Sequence, residues 1–265
     1  MIILCDMVRL PAILLLLFLV AAGTLAAQSP ADSLDPDEIL VDATFVPCSD
    51  STESLLILQD GRAVYALGDR GASFSIAGPL LTDLRGVIET AESVVNPKGM
   101  DSCSTLGVIL DGPRFLLINR KNPTPETREL YIRLERLRKF ALKKMTGAID
   151  KYNDQIEQEA DSTIVVFPSV APGEIRRRIR ISPIARQWGC NGSVVIAALV
   201  TYQGKVRQAV VRRVKVKGKC TALLSVTALR AVLLSTFAPA KKTNGKTIGA
   251  WMEVEVPFAR MKRPK

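Results

Sequence analysis

The chain has 265 residues, 48% of them hydrophobic, and carries a formal net charge of +10. This length and composition exclude a disordered chain and leave room for one large or two small globular domains. Histidine is absent, and with it the commonest general base and the commonest metal ligand of proteins. We therefore expect a protein that is not an enzyme, with no catalytic residues, no cofactor and no metal site.

The charge is spread unevenly along the chain. Residues 28–130 contain 16 acidic and 8 basic side chains, whereas residues 131–265 contain 9 acidic and 27 basic ones. A change of sign this large predicts two units with different surfaces.

The first 27 residues contain an apolar run, Leu10–Ala22, followed by small residues up to Ala27. This pattern predicts a secretory signal peptide. The alternative is an uncleaved membrane anchor, because Leu10–Ala27 approaches the roughly 20 apolar residues that a spanning helix needs. In both cases we expect the rest of the chain to be exported.

Four cysteines follow this segment, and in an oxidising compartment an even number predicts two disulfides. Four cysteines allow three pairings. Cys48 ends one predicted strand and Cys103 precedes another, which makes these two a candidate disulfide. None of the cysteines has the C-x-x-C spacing of a metal site.

Residues 28–38 are polar and form a predicted linker. The N-terminal α+β domain, of unknown role, spans residues 39–122. It contains two apolar segments around Asp60-Gly61 and two more around Asp111-Gly112, which is typical of tight hairpins. Between them lies a predicted short helix with Thr82 as its N-cap. Its apolar face consists of Leu84, Val87, Ile88 and Ala91.

A helical connector is predicted for residues 123–171. Thr124 suits the N-cap, Pro125 the first helical position, and Gly147 a bend or an end of the helix. Its apolar face consists of Leu130, Leu134, Leu137 and Ala141.

A third hairpin is predicted from Ser193 to Val216, with its turn at Gln203-Gly204. Across such a turn, the sequence positions of any two paired residues sum to about 407. Position 190 then lies opposite 217, so Cys190 comes close to Cys220 and a second disulfide is predicted there.

A helix and a final strand follow this hairpin. Leu224, Ala228 and 231–233 recur at helical spacing. In the last strand the even positions 248–258 are apolar, while Trp251, Glu253 and Glu255 face the other way. The order predicts a helix packed on a three-stranded antiparallel sheet, and an α+β fold class for the chain.

Residues 172–260 carry a collective pattern of prolines, glycines and apolar positions in a fixed order. The positions that form this pattern are Pro183, Ala185, Arg186, Gly189, Gly192, Gly204, Phe237, Pro239, Ala240, Asn244, Gly245, Pro257 and Phe258. In their order and spacing these positions resemble the C-terminal domain of TonB-type proteins, over less than a third of the chain.

The resemblance implies a periplasmic protein that engages outer-membrane receptors in TonB-dependent transport, by adding an extended segment of the receptor to a sheet edge. No nucleic acid partner is expected, and the membrane is expected to be contacted only through the N-terminal segment if it is not cleaved. Glu253 and Glu255 would also deter edge-to-edge aggregation. The implied binding strand consists of Ile248, Gly249, Ala250, Trp251, Met252, Glu253, Val254, Glu255 and Val256.

The chain departs from the family in three respects. Ser182 stands where the family usually carries a tyrosine, histidine is absent, and no proline-rich spacer precedes the domain. Coupling to the proton gradient by the usual route is therefore not expected. The alternative function is an envelope structural or assembly protein that uses the same domain to dimerise or dock.

Overall fold

A computed structural model describes residues 38–46, 52–91, 105–110, 114–158, 163–216 and 218–259. They belong to one compact unit that begins at Pro36. The predicted signal or anchor segment, residues 28–37 of the linker, Cys48, Cys103 and the Asp111-Gly112 turn lie outside these residues.

The described residues form helices and strands in a mixed α+β arrangement, as the sequence predicts. The helices are α1 (Gly78–Thr90), α2 (Pro125–Gln158), α3 (Glu174–Arg178), α4 (Pro183–Gln187) and α5 (Cys220–Leu233). The strands are β1 (Ile39–Val46), β2 (Glu53–Leu58), β3 (Arg62–Leu67), β4 (Arg70–Ser75), β5 (Thr105–Leu110), β6 (Phe115–Asn119), β7 (Ile164–Val166), β8 (Ser169–Val170), β9 (Gly192–Val200), β10 (Val206–Lys215), β11 (Phe237–Ala238), β12 (Ala240–Lys242), β13 (Thr247–Ile248) and β14 (Ala250–Phe258).

Nine strands form one sheet in the order β14-β9-β10-β4-β3-β2-β1-β5-β6, with antiparallel neighbours throughout. The strands of both predicted domains therefore share a single sheet. The two sets meet where Val210 of β10 pairs with Ala72 of β4. Beside this pair, the Ala209 N–H donates to Ser73 Oγ at 2.8 Å.

Helices α1 and α2 cover one face of this sheet. The residues Leu130, Leu134, Leu137 and Ala141 are buried, as the sequence pattern predicts. Helix α2 continues through Gly147, and it packs on β3, β4 and β10, so it contacts strands from both predicted domains. Its 34 residues carry a long apolar stripe, which is stable only when it is covered.

The predicted N-cap of the shorter helix is wrong. Helix α1 begins at Gly78, with a proline in its first turn, so Thr82 lies inside the helix. A proline at this place fixes a helical φ and lacks only an N–H that would have no intrahelical partner.

A network of polar side chains attaches α2 to the sheet. The Glu53 carboxylate on β2 accepts a hydrogen bond from the Tyr65 hydroxyl at 2.6 Å and another from Arg138 of α2 at 2.9 Å. Burial raises the pKa of Tyr65, and its hydrogen bond to Glu53 raises it further. Glu135 on the same helix also accepts from Arg138, at 2.9 Å.

The opposite face of the sheet is covered by α5. This helix is buried on nearly all sides, including Ser225, Thr227 and Arg230. Asp42 in the middle of β1 is 8% exposed, and it lies on the α5 side because its neighbours Val41 and Ala43 belong to the core under α2. Burial raises the pKa of Asp42 to about 6, while the positive charge of Arg230 opposes the rise.

Two small sheets flank one end of the large one. Strand β8 pairs with β11, and β12 lies between β7 and β13. Among the described helices, none combines the length and the apolar character needed to cross a bilayer.

Candidate functional site

Strand β14 forms one end of the nine-stranded sheet. It pairs with β9 over its full length, from Ala250–Val200 to Phe258–Gly192, without a shift in register. Within the described ranges no strand pairs with its other side. The strand therefore offers a long free edge.

The hydrogen bonds of the neighbouring hairpin show which backbone groups of β14 point outwards. The Thr201 N–H donates to the Lys205 carbonyl at 2.8 Å, so the backbone of Thr201 faces the β10 side. Because alternate residues of an antiparallel strand bond to opposite neighbours, the backbone of Val200 faces β14. The register is unbroken, so the even-numbered residues of β14 bond to β9 and the odd-numbered residues point away from it.

The position of Pro257 agrees with this assignment. Proline has no N–H, and within sheets it occupies edge positions whose N–H would face away from the neighbouring strand. The free edge therefore presents the N–H groups of Trp251, Glu253 and Glu255, and the carbonyls of these residues and of Pro257. An incoming strand needs these groups for backbone pairing.

Ion pairs hold the two glutamates on the exposed face beside this edge. Arg212 Nε lies 3.2 Å from Glu253 Oε1, and Lys215 Nζ lies 3.1 Å from Glu255 Oε1. The Ser193 hydroxyl donates to Glu255 Oε1 at 2.7 Å. This hydrogen bond, together with Lys215, lowers the pKa of Glu255. Both carboxylates therefore lie in a cross-strand ladder, each paired with a cation of β10.

The end of helix α2 covers the start of the edge strand on the same face. Trp251 Nε1 donates to Gln155 Oε1 at 3.2 Å, and the Trp251 ring meets the ring of Tyr152 edge-on at 4.7 Å. The Arg212 guanidinium lies 4.9 Å from the centre of the Tyr152 ring. The edge is thus packed at Trp251 and open on this face at the two glutamates.

Sequence reasoning missed these flanking residues. Gln155 is 96 positions from Trp251, and no local pattern predicts a contact at that separation. The burial of Tyr152 was predictable from the sequence, because Tyr152 continues at helical spacing the buried apolar stripe of α2 that contains Leu134, Ala141 and Met145.

The other face of β14 belongs to the core. Val254, Val256 and Phe258 are buried against the α5 side, and Met252 packs there in part. The predicted alternation of apolar and polar side chains along this strand is therefore confirmed.

The predicted bounds of the edge strand are wrong at both ends. Ile248 belongs to β13 and pairs with Ala240, whereas β14 runs on to Phe258. Gly249 lies between the two strands and close to the end of β9, since an added Cβ would stand 3.2 Å from the Val200 carbonyl oxygen.

Pro183, Ala185 and Arg186 lie in the short helix α4, with Ala185 buried and Arg186 exposed. Ser182 caps this helix, since its Oγ accepts from the Ala185 N–H at 3.2 Å. The residue that departs from the family pattern thus has a local structural role. Gly189, with φ +65°, follows the helix and leads into β9.

Two glycines of the pattern lie where another chain segment leaves no space for a side chain. A Cβ on Gly192 would stand 2.3 Å from the Lys215 carbonyl oxygen, and one on Gly204 would stand 2.1 Å from that of Phe237. Both glycines also have positive φ, +135° and +76°. They allow the two ends of the β9–β10 hairpin to touch neighbouring backbone.

The remaining motif positions lie around β11 and β12. Phe237 and Ala240 are buried, with Pro239 between their strands. Asn244 and Gly245 form the turn into β13, where Asn244 Oδ1 accepts from the Lys246 N–H at 3.0 Å. Pro257 and Phe258 end β14.

The predicted disulfide between Cys190 and Cys220 is confirmed, with sulfurs 2.08 Å apart and Cα atoms 5.4 Å apart. The predicted hairpin register holds from Leu199–Gln208 to Ile196–Val211, and it shifts on either side of this region. The bond ties the start of β9 to the start of α5. It therefore fastens the edge pair β9–β14 to the helix beneath it.

No group of three or more metal-ligating side chains occurs in the part of the chain that the structure describes. The chain matches no protein-family model, no curated protein and no solved structure.

Proposed function

We propose that this protein is an exported, TonB-like binding protein that takes up an extended segment of a partner as an additional strand on β14. One observation carries this proposal: β14 is a sheet-end strand whose odd-numbered backbone groups point away from β9. We further propose that the partner is an outer-membrane receptor and that the protein works in the periplasm.

The arrangement of the C-terminal strands supports this choice of edge. In a sheet of β14, β9 and β10 alone, β10 would offer a second edge, but here β4 occupies that side. Among the described C-terminal strands of the large sheet, β14 therefore has the free edge. The N-terminal strands thereby limit how a partner can approach.

The two faces of β14 define the chemistry of the incoming strand. Side chains that lie opposite each other in paired strands share a face. A residue opposite Glu253 or Glu255 meets a carboxylate, whereas its neighbours lie beside Met252 and Val254. We therefore expect the partner segment to alternate basic and apolar residues.

Backbone pairing alone does not make such a complex stable. Each hydrogen bond contributes about 1 kcal/mol net, and ordering each residue of a flexible segment costs about 1–2 kcal/mol. The alternating side chains must supply the difference, so we expect binding to depend on both the outward N–H groups and the residue pattern.

A pair of substitutions at one position separates these two contributions. Glu253→Pro and Glu253→Ala both remove the carboxylate, but only proline also removes the outward N–H. Proline is compatible with this place, because Pro257 occupies an equivalent outward position in the same strand. The probe is a fluorescent nine-residue peptide of alternating valine and lysine, and binding is followed by fluorescence anisotropy.

We expect Glu253→Ala to weaken binding by about fivefold or less and Glu253→Pro to weaken it by a further tenfold or more. Unfolding midpoints of the two variants control for damage to the fold. Equal binding by both folded variants would contradict strand addition at this edge.

The alternative function, in which a second copy occupies the same edge, has its own test. Antiparallel pairing of two β14 edges brings Glu253 and Glu255 of one copy beside those of the other, and like charges directly opposite each other destabilise paired strands. We therefore expect a monomer by light scattering. A dimer that Glu253→Pro dissociates would favour the assembly function instead.

A further inference from the structure

Strand β7 and the residue after it expose a run of apolar side chains. Val165 is 57% exposed, Val166 49% and Phe167 67%. Consecutive residues of a strand point to opposite faces, so both faces of β7 are open at its end. A continuous exposed run of this kind marks an interaction surface more often than scattered single residues do.

A second exposed aromatic lies at the same end of the molecule. Tyr202, in the turn of the β9–β10 hairpin, is 60% exposed. The hairpin turn reaches β11, because the Phe237 N–H donates to the Gly204 carbonyl at 2.9 Å. Phe237 in turn pairs with Val170 of β8, just beyond β7. The hairpin turn and the β7–β8 segment therefore flank the same stretch of chain.

The three chain segments that carry these residues contain only basic charged side chains. Segments 163–173, 201–207 and 237–249 contain no aspartate or glutamate. The exposed lysines Lys205, Lys241 and Lys246 lie in them, and Val166 pairs directly with Lys241. We give the name tip surface to residues 165–167, Tyr202 and these three lysines.

Exposed aliphatic and aromatic side chains bordered by lysines suit an anionic lipid bilayer. The apolar groups enter the boundary between headgroups and acyl chains, and the lysines attract anionic headgroups. An acidic protein strand fits less well, because β7 has three residues and offers few backbone hydrogen bonds.

We propose that the tip surface attaches this protein reversibly to membranes rich in anionic phospholipid. The sequence predicts membrane contact only through the N-terminal segment, so this surface is an additional one. It does not depend on strand addition at β14, although the edge strand begins close to it, after β13.

The test is co-sedimentation with vesicles of phosphatidylcholine alone or mixed with phosphatidylglycerol. The protein used begins at residue 28, so it lacks the apolar segment Leu10–Ala22 and keeps the whole compact unit that begins at Pro36. We expect binding to the mixed vesicles only, weakening as salt is raised. Phe167→Ser should reduce it about tenfold. The double variant Lys241→Gln, Lys246→Gln should bind the mixed vesicles about 25-fold more weakly, because each lost charge weakens binding about fivefold.

Matched controls come from exposed residues on other elements. Leu80→Ser on α1 and Lys143→Gln on α2 remove one exposed apolar and one exposed basic side chain outside the tip surface. Both should bind as the unmodified protein does. Equal losses in these controls, or binding to phosphatidylcholine alone, would overturn the proposal.

Two further readouts are independent of sedimentation. Phe167→Trp should show a blue-shifted emission with mixed vesicles, after subtraction of the unmodified protein's own tryptophan signal. No shift would overturn membrane insertion at this residue. Tip-surface variants that lose binding to polyglutamate but keep vesicle binding would assign the surface to an acidic protein partner and refute the lipid proposal.

Discussion

Replacement of Asp42 by asparagine should make the protein more stable at neutral pH. The carboxyl lies in a buried strand, and burial raises its pKa from 3.8 to about 6 despite the opposing charge of Arg230. In the unfolded chain the group titrates near its ordinary value of about 3.9. Between about pH 4 and pH 6 the folded state therefore binds the proton more tightly, and stability falls as pH rises through this window.

The size of the effect follows from the difference between the two pKa values. About two units at 1.4 kcal/mol each correspond to about 3 kcal/mol of unfolding free energy, present below pH 4 and lost above pH 6. Asparagine resembles the protonated carboxyl and does not ionise. Asp42→Asn should therefore match the unmodified protein near pH 4 and exceed it by about 3 kcal/mol at pH 7.

Urea unfolding followed by circular dichroism at pH 4, 5, 6 and 7 measures this difference. Asp69→Asn, at an exposed carboxylate between β3 and β4, controls for the loss of one negative charge. An Asp42→Asn protein that is less stable than the original at pH 7 would refute the reasoning. It would show that Arg230 holds the ionised carboxylate in a net favourable ion pair.

Three further changes test the packing around the sheet by urea unfolding. Arg138→Met should lower the free energy of unfolding by about 1.5–3 kcal/mol, because the half-buried Glu53 carboxylate loses its charged hydrogen-bond donor. The double variant with Glu53→Gln should recover at least half of this loss, and an equal loss in both variants would contradict this expectation. Gly218→Ala should lower the free energy of unfolding by about 1 kcal/mol, because the residue has a positive φ. Gly204→Ala should lower it clearly more, because Gly204 also has a positive φ and there an added Cβ would meet other atoms. Reduction of the disulfide between Cys190 and Cys220 should lower the free energy of unfolding by about 3.5 kcal/mol, because the unfolded chain is no longer closed into a loop by a bond of sequence separation 30.

The elements that were predictable from sequence are those with a clear local period or a demanding turn. The helical stripe through Leu134 and Ala141, the Asp60-Gly61 turn and the alternation along β14 all follow from side-chain geometry over a few residues. The disulfide also followed, because hairpin register links Cys190 to Cys220 through a short turn.

Features that depend on distant pairing were not predictable in this way. The contact between β4 and β10 rests on Ala72 and Val210, and neither residue differs from an ordinary strand position. Ile248 pairs with Ala240, not with β9, and the local sequence around Gly249 does not reveal this change of partner. The resemblance to TonB-type domains predicts a free edge. Which backbone groups of β14 point outwards follows only from the observed register.

Amide hydrogen exchange of β14, measured residue by residue by NMR, tests the central proposal most directly. In the free protein the N–H groups of Trp251, Glu253 and Glu255 should exchange rapidly, and those of Met252 and Val254 slowly. Addition of the valine–lysine peptide should protect the first group and leave the second unchanged. Slow exchange at all five positions without peptide, or no new protection with it, would contradict a free edge that binds a partner strand.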